Sequence, residues 1–133
     1  MQLNKGEIVY STDKVYDIET GMLRRHETKL NGLKHSPPDD TPSRVVYDRQ
    51  GRLIEQQWHA YGENHRLTGP SVVLLYPETG IHMTEAYEIR GKPRPANEGP
   101  YRVRRREDGS IWQQEFANPD GTIQRQNQPR LDR

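Results

Sequence analysis

Turn residues recur along this chain at a nearly constant interval, and the recurrence limits the folds available to it. Two series of glycine and one of proline keep spacings of 28 to 30 residues and stay in phase. Self-similarity at such a period indicates tandem supersecondary units. The sequence therefore predicts four units of about 29 residues, at 14–42, 43–71, 72–100 and 101–129. The marker residues are Gly21, Gly51, Gly80 and Gly109, then Gly32, Gly62, Gly91 and Gly121, then Pro42, Pro70, Pro100 and Pro129.

Each unit contains two runs of β-forming residues separated by a glycine turn. In the second unit the runs are 45–47 and 53–61, with Gly51 between them. Glycine supplies the positive φ of hairpin turns, and runs this short leave no room for a helix. We expect an all-β fold with about eight strands, arranged as an antiparallel meander in an elongated, curved sheet. The whole chain, 1–133, is expected to form one repeat domain.

The two ends of the chain depart from the regular pattern. Terminal repeats are usually atypical because they cap the array. Residues 1–13 are expected to form an N-terminal strand or cap, with the strand at 7–10. The first unit is degenerate, since Thr28 stands at its aromatic position. Residues 124–133 are polar and are expected to form a flexible tail.

The second strands predict one apolar face. Residues two apart point to the same side of a strand, so aromatic residues 29 apart form a row across neighbouring units. Two interpretations remain open: this face is a closed core, or part of it is an exposed partner-binding surface. The opposite face is expected to be mostly solvated. The apolar face carries Ile54, Trp58, Met83, Tyr87, Trp112 and Phe116, and the opposite face carries Glu55, Gln57, Thr84, Ala86, Gln113 and Glu115.

Composition excludes several classes of protein. Only 30% of residues are apolar and the mean hydropathy is −1.14, so the core must be thin. The formal net charge of +1 is not that of a general nucleic-acid binder. The absence of cysteine excludes disulfides and thiolate metal sites. No apolar run approaches the roughly 18 residues of a membrane span. We therefore expect a cytoplasmic protein with no membrane partner.

A basic run opens the fourth unit where the other units are apolar. Arginine beside aromatic rings suits phosphate or acidic protein surfaces. Three interpretations remain open: a charged strand that discourages edge-to-edge aggregation, a site for an acidic protein, or a nucleic-acid contact. Its members are Arg102, Arg104, Arg105 and Arg106, with Arg94 in the preceding loop.

Nothing in the chain predicts catalysis. His35 and His65 each follow a turn glycine by three residues, which indicates a structural role in the loop, such as donating to a carbonyl. His59 and His82 fall on the polar strand face and are expected to be solvated. Zinc needs three or four convergent ligands, and no close spacing of His, Asp and Glu supplies them. We expect no catalytic residue, no metal and no cofactor.

The segment 58–70 resembles a class of tandem repeats in phage, bacterial and large-virus proteins. It carries an aromatic pair, a turn glycine, His65-Arg66 and then Gly69-Pro70. This pattern is similar in style to MORN-like repeats, and 47–53 is similar to YD repeats. The period exceeds that of a standard MORN repeat, so lipid binding is not implied. The resemblance implies a β-hairpin array used for binding rather than for a reaction.

These observations together favour a non-enzymatic protein-binding module. The resemblance points to an inhibitor that acts by steric occlusion, of a phage anti-defence or antitoxin/immunity type, with a host defence protein or a toxin as partner. The expected contact residues are Trp58, Tyr87, Trp112, Phe116, Arg94 and the basic run. One alternative is a nucleic-acid-binding module that uses Arg102–Arg106. The other is a structural protein that self-assembles into homo-oligomers.

Overall fold

The computed structural model describes residues 5–129 and contains one long β-sheet in which the strands follow chain order. Every strand pairing in it is antiparallel, as the short runs and glycine turns predict. The main-sheet strands are β1 Ser11–Tyr16, β2 Leu23–Leu30, β3 Leu33–Lys34, β4 Arg44–Tyr47, β5 Leu53–Gln57, β8 Val72–Leu75, β9 His82–Ala86, β12 Arg102–Arg105, β13 Ile111–Ala117 and β14 Ile123–Asn127.

Short hairpins project from one end of the second strands. Each turns through two residues with positive φ, as in Asn31-Gly32, Tyr61-Gly62 and Arg90-Gly91. Positive φ at both central residues matches the twist of the flanking strands, and glycine adopts it without strain. Two of these hairpins form small sheets of their own. They are β6 His59–Ala60 with β7 Glu63–Asn64, and β10 Glu88–Ile89 with β11 Lys92–Pro93; a single 3-10 turn follows at Ala96–Glu98.

A β-bulge recurs at the start of each second strand. Val46 pairs with Glu55 and Tyr47 pairs with Leu53, which leaves Ile54 without a partner. The same slip occurs at Arg24, Met83 and Trp112. The predicted row of Ile54, Met83 and Trp112 is therefore a row of bulges, at which the strands bend and twist more strongly.

Both ends of the chain differ from the prediction. The first strand within residues 5–129 is β1, and residues 7–10, predicted as a strand, form no strand pairing with any part of that range. The segment 123–127 is not a tail, because it pairs along β13 as the last strand, β14. Gly121 closes this main-sheet hairpin and not a projecting one. The rest of the predicted tail, 130–133, lies outside the described residues.

The core is small and lies on one face of the sheet. The first strands contribute Val45, Val73 and Val103, all buried. Trp58 packs with Val73, Leu75 and Leu53 in one cluster. A thin core of this kind is what the low apolar content predicts.

The opposite face is not simply solvated. Glu115 is 1% exposed and His59 is 5% exposed, whereas both were expected on a solvated surface. Glu115 is covered by arginine side chains from neighbouring strands. His59 lies against Ser43 and the loop at Ser36: its Nδ1 is 2.6 Å from Ser43 Oγ, and its backbone N–H and carbonyl both bond to Ser36.

Candidate protein-interaction site

In each of the two central units, an arginine stacks on an aromatic ring. The Arg66 guanidinium lies 3.7 Å from the centre of the Trp58 ring, and the Arg94 guanidinium lies 3.7 Å from the centre of the Tyr87 ring. Each arginine also donates to the carbonyl of the proline that closes its unit. The distances are 3.1 Å from Arg66 Nη1 to Pro70 O and 2.7 Å from Arg94 Nε to Pro100 O. A cation over a ring face is attracted by the ring quadrupole, so these stacks hold the loops closed over the aromatic residues.

The glycine before each closing proline has a steric reason. A Cβ at Gly69 would lie 3.0 Å from Arg66 Nη1, and one at Gly99 would lie 2.8 Å from Arg94 Nη2. Each guanidinium thus packs directly on the glycine backbone. The aromatic, arginine and Gly-Pro elements of the sequence motif are parts of one contact.

The histidines at the equivalent loop position connect one unit to the next. His35 Nδ1 accepts the backbone N–H of Tyr61 at 2.9 Å, and His65 Nδ1 accepts that of Arg90 at 3.0 Å. Both bonds hold the projecting turn of the following unit. The predicted structural role is confirmed, but the ring accepts a hydrogen bond and does not donate to a carbonyl.

Two grooves lie between successive loops at this end of the strands, which we call the loop side. The first, about 480 Å³, is lined by Pro37, Trp58, Tyr61, His65 and Leu67 among others. The second, about 620 Å³, includes Leu67, Pro70, Tyr87, Ile89 and Arg94. Because each groove uses the same kind of loop and the same kind of stack, the repeat builds the site twice.

The rims of the grooves expose apolar side chains that the sequence analysis did not select. Leu67 is 76% exposed, and Tyr61 and Ile89 are exposed as well. Exposed apolar groups gathered on one side of a protein mark a contact surface. The available signal was Leu67, an aliphatic residue in the polar loop that connects His65-Arg66 to Gly69-Pro70.

The structure separates the predicted aromatic contacts. Trp58 is 5% exposed and forms the floor of a groove, so its ring does not offer a free surface. Its Nε1 donates to Asp40 O at 2.8 Å. Tyr87 and Arg94 meet at the second groove. Trp112 and Phe116 lie on β13, where Trp112 is 37% exposed at a bulge, and neither lines the two grooves.

The basic run is divided between the two faces of β12. Arg102 and Arg104 bind Glu115 at 3.2 and 2.8 Å, and Arg125 binds the same carboxylate at 3.0 Å. Arg105 pairs with Glu85 at 3.0 Å. Successive side chains of a strand point to opposite faces, so the run does not act as one patch.

The last of the four arginines, Arg106, follows the end of β12 and reaches the segment after β14. Arg106 donates to Ser110 Oγ and to the carbonyls of Ile111 and Gln128. Positive charge nevertheless predominates around Glu115, because three arginines share this one carboxylate, although Glu88 also interacts with Arg102.

Hydrogen bonds and charges from neighbouring basic side chains lower the pKa of two carboxylates on the sheet, Glu115 and Glu85. Burial alone raises the pKa of Glu115, but hydrogen bonds and charges from Arg125, Arg102 and Arg104 outweigh burial and lower it. Burial likewise raises the pKa of Glu85, and the bonds from His82 and Arg105 lower it. A carboxylate that accepts such bonds is stabilised in its charged form.

Within residues 5–129, no group of three or more His, Asp or Glu side chains is placed to hold a metal ion. No helix in the same range is both long and apolar enough to cross a membrane. No protein family matches the chain, and no match was found among characterised proteins or solved structures. The similarity to MORN-like and YD-like repeats therefore stays a prediction.

Proposed function

We propose that this chain is a non-enzymatic protein-binding module that contacts its partner with the loop side of the sheet. The observation that carries the proposal is the pair of grooves that share Leu67, each with an arginine-aromatic stack and exposed apolar rims. Aromatic and arginine side chains are enriched at interface hot spots. A site repeated along the array suits an extended or convex partner surface.

The proposed mode of action is steric occlusion, in which the loop side covers a functional surface of the partner. The hydrogen bonds from His35 and His65 join neighbouring units, and this supports a preorganised surface. Preorganisation strengthens binding because less conformational freedom is lost on association. The resemblance to phage and bacterial repeats favours a cytoplasmic inhibitor, of anti-defence or antitoxin/immunity type, whose partner is a host defence protein or a toxin.

Affinity capture from bacterial lysate, followed by quantitative mass spectrometry, tests this function. The baits are the unmodified protein, the double variant Leu67→Ser with Ile89→Ser, and Ile18→Ser as a matched control. Ile18 is 99% exposed in a turn at the opposite end of the strands. The proposal expects a protein retained by the unmodified and Ile18→Ser baits and lost from the double variant. Equal retention by all three baits would place binding elsewhere.

A second function, nucleic-acid binding, is supported by the surplus of positive charge around Glu115. Arg125, which is 66% exposed at its side chain, carries part of that surplus. Phosphate contacts make binding weaken steeply with salt. Mobility shifts with single- and double-stranded DNA and RNA at two salt concentrations test it, with Arg125→Gln as the variant expected to bind more weakly. An absence of any shift at low salt would end this alternative.

A further inference from the structure

The two arginine-aromatic stacks differ in one respect. Arg66 holds a carboxylate of the same chain, because its Nη2 lies 2.9 Å from Asp40 Oδ2 and its Nε lies 3.2 Å from Asp40 Oδ1. Thr68 Oγ1 also donates to Asp40 Oδ2 at 2.9 Å. The bond from Arg66, supported by Thr68, keeps the pKa of Asp40 below its usual value. The first stack therefore has its own counterion.

The second stack has no such counterion. Among residues 5–129, no carboxylate oxygen lies within 4.0 Å of the Arg94 nitrogens, and the hydrogen bond of its guanidinium is the one from Nε to Pro100 O. The Nη1 and Nη2 groups are left to donate elsewhere. An arginine whose fork is open in this way matches a carboxylate in geometry and in charge.

The position equivalent to Asp40 in the next unit is not occupied by an acidic residue. Ser43 and Ser71 occupy equivalent positions, because both are buried and each donates its backbone N–H to the second strand that follows it in the chain. Ser43 donates to Gln57 O, and Ser71 donates to Ala86 O. Asp40 precedes Ser43 by three residues, and Thr68 precedes Ser71 by three. Thr68 thus stands one unit on from Asp40 and carries no acid, and its hydroxyl donates to Asp40 in the first stack.

We propose that Arg94 binds a carboxylate of the partner protein, an Asp or Glu side chain, through its Nη1 and Nη2 groups, much as Arg66 binds Asp40 through Nε and Nη2. This deepens the proposed function, because it names the chemistry by which the second groove recognises its partner. Leu67 and Ile89 line the same groove, so an acidic side chain with apolar neighbours on the partner would complete the contact. The charge complementarity is specific to one groove, since Asp40 already occupies the other.

Two carboxylates of the chain line the second groove as well. Glu98 is exposed in the 3-10 turn, and Glu88 is partly buried. Burial raises the pKa of Glu88, which favours its uncharged form. Because Glu98 lines the same groove as Arg94, Glu98→Gln removes a negative charge there and is expected to strengthen binding of an added carboxylate.

The test is nuclear magnetic resonance of the isolated protein, which reads the Nε–H signals of its arginines. The Nε–H of Arg94 is protected by Pro100 O, and Arg66 serves as a reference inside the same molecule. The probe is acetyl-aspartate amide, with acetyl-asparagine amide at equal ionic strength as its control. The proposal expects a saturable shift at Arg94 with the aspartate probe, little change at Arg66, and no shift with the asparagine probe.

Two further arms decide what a shift means. Glu98→Gln should enlarge the response of Arg94, because it removes a negative charge from the same groove. Inorganic phosphate distinguishes the two common sources of an anion, and a stronger response to phosphate than to the aspartate probe would overturn the assignment. Equal shifts at all arginines would also overturn it, because they would report ionic strength alone.

This experiment needs no partner protein, so its outcome is separable from that of the capture experiment. If Arg94 showed no shift but the Leu67→Ser, Ile89→Ser variant lost capture, the carboxylate-binding role of Arg94 would be rejected. The proposed protein-binding function would still be supported. A responsive Arg94 with capture unaffected by that variant would support a carboxylate site and contradict the loop side as the docking surface.

Discussion

The ring of His65 accepts a hydrogen bond from the backbone N–H of Arg90, with the two nitrogens 3.0 Å apart. His35 does the same for Tyr61 one unit earlier, at 2.9 Å. In each case the accepting ring lies in the loop of one unit, and the donor is the left-handed residue of the projecting turn in the following unit. The φ angle is 51° at Arg90 and 48° at Tyr61. The bonds therefore join neighbouring units through side chains as well as through the sheet.

Replacing either histidine should loosen only the turn it holds. In His65→Ala the amide of Arg90 should exchange with solvent faster while that of Tyr61 is unchanged, and His35→Ala should show the reverse. A net hydrogen bond is worth about 0.5–1.5 kcal/mol, so global stability should fall by about that much. Amide hydrogen exchange measured on both variants checks this pattern, and identical profiles in the two variants would contradict it.

The two tryptophans should differ sharply in their contribution to stability. Trp58 is 5% exposed in the core under Arg66, and truncating a buried aromatic residue costs about 3–5 kcal/mol. Trp112 is 37% exposed at a bulge, so Trp112→Ala should cost much less than Trp58→Ala. Urea unfolding of both variants measures the difference, and similar losses would show that Trp58 does not anchor the core.

Glu115 should be the most sensitive acidic residue of the sheet. Removing the charge of this buried carboxylate leaves three arginines without this partner, and because their side chains are 31%, 33% and 66% exposed the cost should be about 1–3 kcal/mol. Glu115→Gln should therefore lower the free energy of unfolding strongly, whereas Arg125→Gln, on the exposed edge of the same cluster, should lower it little. Chemical denaturation compares them. Near-equal effects would mean that Glu115 is held by packing and not by its arginines.

Glu115 should also make the stability of the fold depend on pH, in a range more acidic than that in which histidine titrates. The pKa of Glu115 in the folded protein lies below its ordinary 4.5. The stability that it contributes is thus present above about that pH and is lost as the pH falls through the folded value. Glu115→Gln should remove this acid-dependent loss, and urea midpoints between pH 5 and 3 would register it. If the urea midpoint of the variant fell between pH 5 and 3 as much as that of the unmodified protein, the ion cluster would not be the source of the pH dependence.

His59 should weaken the fold at milder acidity. Burial, with a smaller effect of Lys34, lowers the pKa of this histidine from 6.5 to about 4. Its neutral form is stable in the fold, so stability is full above pH 6.5 and declines as the pH falls towards 4, by at most about 1.4 kcal/mol per pH unit. His59→Asn should flatten this slope and the half-buried control His26→Asn should flatten it less. Histidine titration by nuclear magnetic resonance gives the pKa directly.

The sequence predicts the turns better than it predicts the packing. Gly62 and Gly91 mark projecting hairpins because few other residues adopt their positive φ without strain. Ile54 and Trp112 carry no local mark of a bulge, since bulges arise from how two strands pair. The fourth turn, at Gly121, keeps the spacing of the series but joins two main-sheet strands.

In the candidate site, too, contacts that depend on packing between strands could not be predicted from the sequence. The burial of Glu115 could not be predicted from its own strand, because the arginines that cover it come from β12 and β14. Arg94 aligns with His65 in sequence, yet it stacks on its ring as Arg66 does, one residue out of step. A long guanidinium side chain reaches the same aromatic neighbour from either position. Sequence spacing alone does not distinguish these two roles.

Photocrosslinking from the loop side tests the proposed docking surface most directly. A photoreactive phenylalanine analogue replaces Leu67 in one bait and Ile18 in another, since both side chains are highly exposed and they lie at opposite ends of the strands. Irradiation in bacterial lysate should yield one dominant protein adduct from position 67 and none of the same mass from position 18. An adduct formed from position 18 alone, or equally from both, would contradict the claim that the loop side binds the partner.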